Sequence, residues 1–135
     1  SQITESQTDE EFAKARAARL HEIHHTILGL PITVAGEAAA TAFYASTGSI
    51  PFDIGILSSW MLRGAYAPSE RRLIWDAIGF GIAVGQKVPE LFSPRWEEGW
   101  ERSITDWQDE LGISELLKTS PFQDEFANIY GLNLE

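Results

Sequence analysis

Apolar residues recur every three to four positions over most of the chain, and no stretch alternates with the period of two that marks a half-buried strand. The Thr8-Asp9-Glu10-Glu11 segment has the form of a helix-starting capping box, and Gly29-Leu30-Pro31 has the composition of a helix end. Between them one apolar side is formed by Phe12, Leu20, Ile23 and Ile27. The pattern predicts a first helix from Thr8 to about Leu28, with His21 and His25 nearly opposite that side.

Glycine, proline and capping serine residues divide the rest of the chain into further helices. We predict helices over Ile32 to Ser46, from Pro51 through Arg63, from Ser69 as N-cap through an apolar run to Val88, from Ser103 to Gly112, and from Ser120-Pro121 up to Gly131. The fourth of these helices is almost wholly apolar and should be central. The predicted fold class is therefore all-α, a compact bundle of five to six helices in one domain spanning residues 1–135.

Charge and composition narrow the possible partners. Ten Lys and Arg residues against twenty Asp and Glu residues give a net charge of −10, which would repel a nucleic acid backbone. Pro31 and Glu37 interrupt the most membrane-like stretch, Ile27 to Ala45, so we expect no spanning helix. The polar N-terminus has no secretory signal. We expect a cytoplasmic protein, or one peripheral to the inner membrane, on the matrix side if mitochondrial.

A candidate metal site comes from three residues. The chain has no cysteine, so a metal would need nitrogen and oxygen ligands. His21 and His25 stand one helical turn apart, which lets both rings reach one ion. If the turn at Gly29 to Pro31 folds the second helix back, Glu37 lies level with the gap between the two histidines, and the small Gly36 beside it would let the helices close up. The spacing predicts a site with two nitrogen ligands and one oxygen ligand.

Glu22 has three possible roles, because it lies about 100° around the helix from His21. It could be a fourth ligand, a group that orients a ring, or a general base acting on bound water. His24 is expected to be a polar neighbour. The same residues could also be solvated surface groups, and His-Glu-x-x-His is the zincin protease signature as well. A zincin is disfavoured because only twenty residues precede His21 and no downstream histidine can serve as third ligand.

The segment Arg19 to Pro31 resembles the core motif of the coenzyme Q biosynthesis protein 4 family, which has His-Asp-x-x-His, eleven residues, then Glu. The similarity extends through Gly36-Glu37, Gly85-Gln86-Lys87 and the Trp96-Glu97-Glu98 region to Leu111-Gly112-Ile113. The resemblance implies that His21, His25 and Glu37 are metal ligands and that Glu22 replaces the family aspartate as a further ligand or catalytic group. The ion implied is zinc, with magnesium, manganese or iron as alternatives.

The resemblance also implies a function in ubiquinone biosynthesis. The expected activity is metal-dependent oxidative decarboxylation of a prenylated or apolar aromatic acid; the alternative is a non-catalytic scaffold that binds an isoprenoid lipid. The expected partners are an apolar or prenylated small molecule and either a second copy of the chain or other quinone-biosynthesis subunits. The family's N-terminal half is not matched, so we expect self-association to replace it, through the alanine-rich second helix, with Ala39 at the contact.

Overall fold

A computed structural model describes residues 8–48, 52–88, 96–99 and 101–123, apart from the side chain of Ala17. These residues form α1 (Asp9–Leu28), α2 (Val34–Thr47), α3 (Asp53–Tyr66), α4 (Pro68–Lys87), a single 3₁₀ turn (Trp96–Glu98), α5 (Ile104–Leu111) and α6 (Ser114–Leu117). No strand occurs among them. The prediction of an all-α bundle of five to six helices is confirmed.

Both ends of α1 follow from its local sequence. The Glu11 amide donates to the Thr8 hydroxyl at 3.2 Å, and the Thr8 amide donates to the Glu11 carboxylate at 2.9 Å. These bonds satisfy two amides that a helix start leaves without helical partners. At the other end Gly29 takes the left-handed conformation, with φ of 64°, which glycine adopts without steric cost. The predicted span of α1 is confirmed.

Helix α2 is the central element of the bundle. Ala38, Ala39 and Ala42 have no exposed surface, and a Cβ added at Gly81 of α4 would lie 2.1 Å from the Ala39 carbonyl oxygen. The backbones of α2 and α4 therefore touch. By contrast, α4 leaves Leu73, Trp75 and Ile82 of its own about 40 % exposed.

Two predictions are corrected by this packing. The prediction that the fourth helix is central is wrong, because its outer face remains exposed while α2 is buried on several sides. The prediction that Ile32 to Ser46 is a self-association surface is also wrong. Its small residues do permit close approach, but α4 of the same chain already occupies that face.

The start of α4 differs from the prediction as well. Pro68 is the first helical residue and Ala67 is the cap, without a side-chain hydrogen bond, so Ser69 is not the N-cap. Proline suits this first position because it lacks an amide hydrogen there. The Arg71 guanidinium donates to the carbonyls of Gly64 and Ala65 and so ties α4 to the end of α3.

The C-terminal elements hold the outer side of α1. The Gln108 side-chain amide of α5 donates to the Ile27 carbonyl at 2.9 Å, and Arg16 pairs with Glu97 at 3.0 Å. Trp96 is buried in the core beside them. Helix α6 was not predicted, and most of the helix predicted from Ser120 to Gly131 lies outside the described residues. Among the helices described, none has the length and apolar character needed to cross a membrane.

Candidate metal centre

The connection between α1 and α2 is a tight turn that fixes the height of Glu37. The Leu30 amide donates to the His25 carbonyl, and the Thr33 hydroxyl caps α2 by accepting from the Gly36 amide at 3.2 Å. Gly36 lies so close to the turn that an added Cβ would be 1.8 Å from the Pro31 carbonyl oxygen. The glycine therefore makes room for the turn itself rather than for the approach of α1. Glu37 follows it directly.

The structure brings His21, His25 and Glu37 together, as the spacing predicted. The Nε2 atoms of the two histidines are 3.0 Å apart, and the Glu37 carboxylate lies 3.3 Å from His25 Nε2 and 3.6 Å from His21 Nε2. One ligand atom from each residue lies within 4.8 Å of the others. His25 is buried, whereas His21 and Glu37 are about one-third exposed, so the cluster opens to solvent on one side.

These residues fit a divalent ion both in chemistry and in spacing. Bonds of about 2.0–2.1 Å to a tetrahedral ion place ligand atoms about 3.3 Å from each other, which is the middle of the observed range. The Nδ1–H of His25 donates to the Leu30 carbonyl at 3.1 Å. That bond leaves the lone pair of His25 on Nε2, facing the cluster, as metal-binding histidines require.

Glu22, the fourth residue predicted for the site, does not join the cluster. Its side chain is exposed, and the three-residue group that could hold an ion does not include it. It is nevertheless near the site, because its charge contributes to the raised pKa of Tyr44. A role for Glu22 as ligand or base stays a prediction.

Tyr44 and His24 belong to the site, and the sequence analysis missed Tyr44. The Tyr44 hydroxyl is 2.6 Å from His24 Nδ1 and 3.4 Å from His21 Nδ1. Both signals were present in the spacing: Tyr44 lies seven residues, or about two helical turns, after Glu37, and His24 lies three residues after His21. His24 is a polar neighbour, as predicted, but it is buried and bound to the same hydroxyl as His21.

Negative charge and burial shape the electrostatics of the site. Burial, together with the carboxylates of Asp53, Glu37 and Glu22, raises the pKa of Tyr44 far above its ordinary value. Burial also raises the pKa of Asp53, the first residue of α3, and the nearby His21 partly offsets that rise. Asp53 comes from another helix, and no local spacing in the sequence pointed to it.

Comparison with known proteins supplies a family for this geometry. The family model described as "Coenzyme Q (ubiquinone) biosynthesis protein Coq4" matches residues 6–116. Curated relatives named ubiquinone biosynthesis protein coq4, mitochondrial, include one from Sclerotinia sclerotiorum, 33 % identical over 81 % of this chain and 39 % of its own length. Another, from Arthroderma otae, is 34 % identical over 78 % of this chain and 39 % of its own length. The chain thus spans about two fifths of these relatives. No solved structure matches.

Proposed function

Since the chain belongs to the coenzyme Q (ubiquinone) biosynthesis protein Coq4 family, we propose that it acts in ubiquinone biosynthesis as a divalent-metal protein. The observation that carries the proposal is the convergence of His21, His25 and Glu37, with ligand atoms 3.0–3.6 Å apart. We further propose that the site supports oxidative decarboxylation of a prenylated or otherwise apolar aromatic acid.

In the proposed reaction the bond between the ring and its carboxylate breaks, carbon dioxide leaves and a hydroxyl takes its place. This change is a two-electron oxidation, for which molecular oxygen is the oxidant by class. A divalent ion at the site supplies Lewis-acid chemistry and, if it is iron or manganese, redox chemistry too. Two histidines and one carboxylate are the donor set of non-haem iron oxygenases as well as of zinc enzymes. Because zinc has no redox chemistry, iron or manganese suits turnover and zinc suits a binding role.

The protein side chains have separate tasks in this proposal. His21, His25 and Glu37 hold the ion, and the open side of the cluster admits the substrate carboxylate. Glu22 is exposed beside the site and bears no ligand contact, so it is placed to accept a proton from water or from the ring hydroxyl. Tyr44 remains a neutral phenol, because burial raises its pKa.

An isoprenoid-lipid-binding scaffold is the second candidate function, and the outer surface of α3 and α4 favours it. Ile54, Leu62 and Tyr66 of α3 are 58–82 % exposed, and Leu73 and Trp75 of α4 are more than 40 % exposed. Contiguous apolar surface of this kind commonly marks a site for a lipid or another subunit. The mitochondrial names of the relatives support partners among other quinone-biosynthesis subunits.

Elemental analysis tests the metal site directly. Purified wild-type protein should carry about one divalent ion per chain, and His25→Ala should lose it, because the substitution removes the most buried ligand. Tyr66→Phe, which alters an exposed tyrosine on α3, is the control and should keep the ion. Equal metal content in wild type and His25→Ala would end the proposal.

A second experiment separates an enzyme from a scaffold. An aromatic acid with a short isoprenoid chain and a labelled carboxyl group is incubated in air with the iron-, manganese- or zinc-loaded protein. Release of labelled carbon dioxide that requires His25 supports the enzyme; tight binding without release supports the scaffold. Glu22→Gln should keep metal affinity within about two-fold and slow release if Glu22 is a base, whereas a ligand role predicts about ten-fold weaker metal binding.

A further inference from the structure

The Tyr44 hydroxyl lies between two histidines of α1 that have different relations to the ion. It is 3.4 Å from Nδ1 of His21, a candidate ligand, and 2.6 Å from Nδ1 of His24, which points away from the cluster into the core. A hydroxyl has one hydrogen to donate and can also accept. A neutral imidazole has one nitrogen that donates and one that accepts. The direction of each of these hydrogen bonds therefore fixes the direction of the other.

In the metal-free protein the chain of bonds runs toward the cluster. His25 donates its Nδ1–H to the Leu30 carbonyl, so its Nε2 carries a lone pair. His21 Nε2, at 3.0 Å, must then carry a hydrogen, because two lone pairs at that distance repel. The Nδ1 of His21 is left as an acceptor for the Tyr44 hydroxyl. The Tyr44 oxygen in turn accepts the Nδ1–H of His24.

In the metal-bound protein every one of these bonds is reversed. His21 binds an ion through a lone pair on Nε2, so its hydrogen moves to Nδ1. The Nδ1–H donates to the Tyr44 oxygen, and the Tyr44 hydroxyl donates to His24 Nδ1. His24 then carries its hydrogen on Nε2. Each ring loses one N–H proton at one nitrogen and gains one at the other, by exchange with water, so both remain neutral.

We propose that Tyr44 and His24 form a hydrogen-bond relay that reverses direction when a metal ion binds His21, so that His24 changes ring tautomer without touching the ion. The relay makes Tyr44 and His24 positioning residues for His21. This proposal rests on the metal-binding part of the proposed function, and it concerns a pair of residues outside the three ligands.

The surroundings of the relay hold its members in place. Tyr44 is 4 % and His24 is 1 % exposed, and the His24 ring packs edge-on against Trp96 and Phe43, with ring centroids 6.3 and 6.4 Å away. The raised pKa of Tyr44 keeps its hydroxyl protonated, which supplies the single hydrogen that the relay needs. A buried hydrogen-bond network is costly to leave half satisfied, so a change at His21 is passed on to His24.

Nitrogen NMR of the histidine rings tests the relay. Protein with ¹⁵N-labelled histidine is studied at neutral pH without metal and with one equivalent of zinc. We expect zinc to move the hydrogen of His21 from Nε2 to Nδ1 and that of His24 from Nδ1 to Nε2. In Tyr44→Phe the His24 tautomer should no longer respond to zinc, and zinc affinity should fall about ten-fold. Tyr66→Phe, the matched control, should behave like wild type.

Each outcome decides. If zinc binds His21 and the His24 tautomer stays the same, the relay is wrong and the metal site stands. If zinc does not reach His21 at all, both the relay and the metal site are wrong. The wild-type comparison needs no variant, so it decides even if Tyr44→Phe does not fold.

Discussion

Gly36 controls the position of a metal ligand, so Gly36→Ala should disrupt the site without touching a ligand. The new Cβ would meet the Pro31 carbonyl oxygen at 1.8 Å, and real contacts of this kind are essentially never under 3.0 Å. The start of α2 and the turn must therefore separate by about 1.2 Å, the difference between those two distances. Glu37 is the next residue in the chain and has to move with the start of α2.

The size of that movement can be compared with what a metal site tolerates. Metal–ligand bond lengths hold within about 0.2 Å, and the displacement is several times larger. We therefore expect Glu37 to be lost as a ligand, with metal affinity about 100-fold weaker, or about 2.8 kcal/mol. The forced movement should also lower the free energy of unfolding by about 1–3 kcal/mol, the usual cost of overpacking.

Cobalt titration followed by visible absorption measures the affinity, and urea denaturation of the metal-free protein measures the stability. Glu37→Gln shows the effect of losing this ligand alone, and its affinity should resemble that of Gly36→Ala. Gly79→Ala is the matched control, because an added Cβ there meets nothing within 4 Å. If Gly36→Ala bound cobalt with wild-type affinity and an unchanged spectrum, the assignment of Glu37 as a ligand held by this turn would be wrong.

Three further predictions follow from packing and charge. Gly81→Ala should lower the free energy of unfolding by about 2–3 kcal/mol, since its Cβ would lie 2.1 Å from the Ala39 carbonyl oxygen, while Gly79→Ala should raise it by up to about 1 kcal/mol in the same urea assay. Burial raises the pKa of Asp53, so its ionisation costs stability as pH rises above the ordinary value of 3.8. Asp53→Asn should therefore melt above wild type at pH 7, with the gap closing toward pH 4; a constant gap would contradict this. Zinc affinity, measured by competition with a chelator, should fall between about pH 7.5 and 5.5 because imidazole ligands must be neutral, and a flat profile would argue for carboxylate ligands alone.

The helices that the sequence predicted well are those with local end signals. Thr8 and Gly29 bound α1, and Ser103 and Gly112 bound α5, through hydrogen bonds and backbone angles that reach only a few residues. The start of α4 was misplaced because proline at the first helical position outweighed the serine that follows it. Helix α6 has four residues, which is too short to leave a periodic pattern.

The same distinction holds within the site. His21, His25 and Glu37 could be placed together because two helices and a tight turn convert sequence spacing into height. The Leu30 carbonyl that orients His25 could not be predicted, because a backbone acceptor has no residue signature. Asp53 could not be predicted either, since it reaches the site from α3 through packing between helices.

Helix α2 is the route by which the rest of the bundle can act on the metal ligands. One face of α2 presents Glu37 and Tyr44 to α1, and another packs Ala38 and Ala42 against Ile74 and Ile78 of α4. The exposed apolar side chains of α3 and α4 make no described contact with His21 or His25. A lipid or subunit that binds those side chains would thus alter the site by shifting α2 against α1. Because the α2 and α4 backbones already touch at Gly81, inward pressure on α4 has no slack to absorb and would be passed on to Glu37.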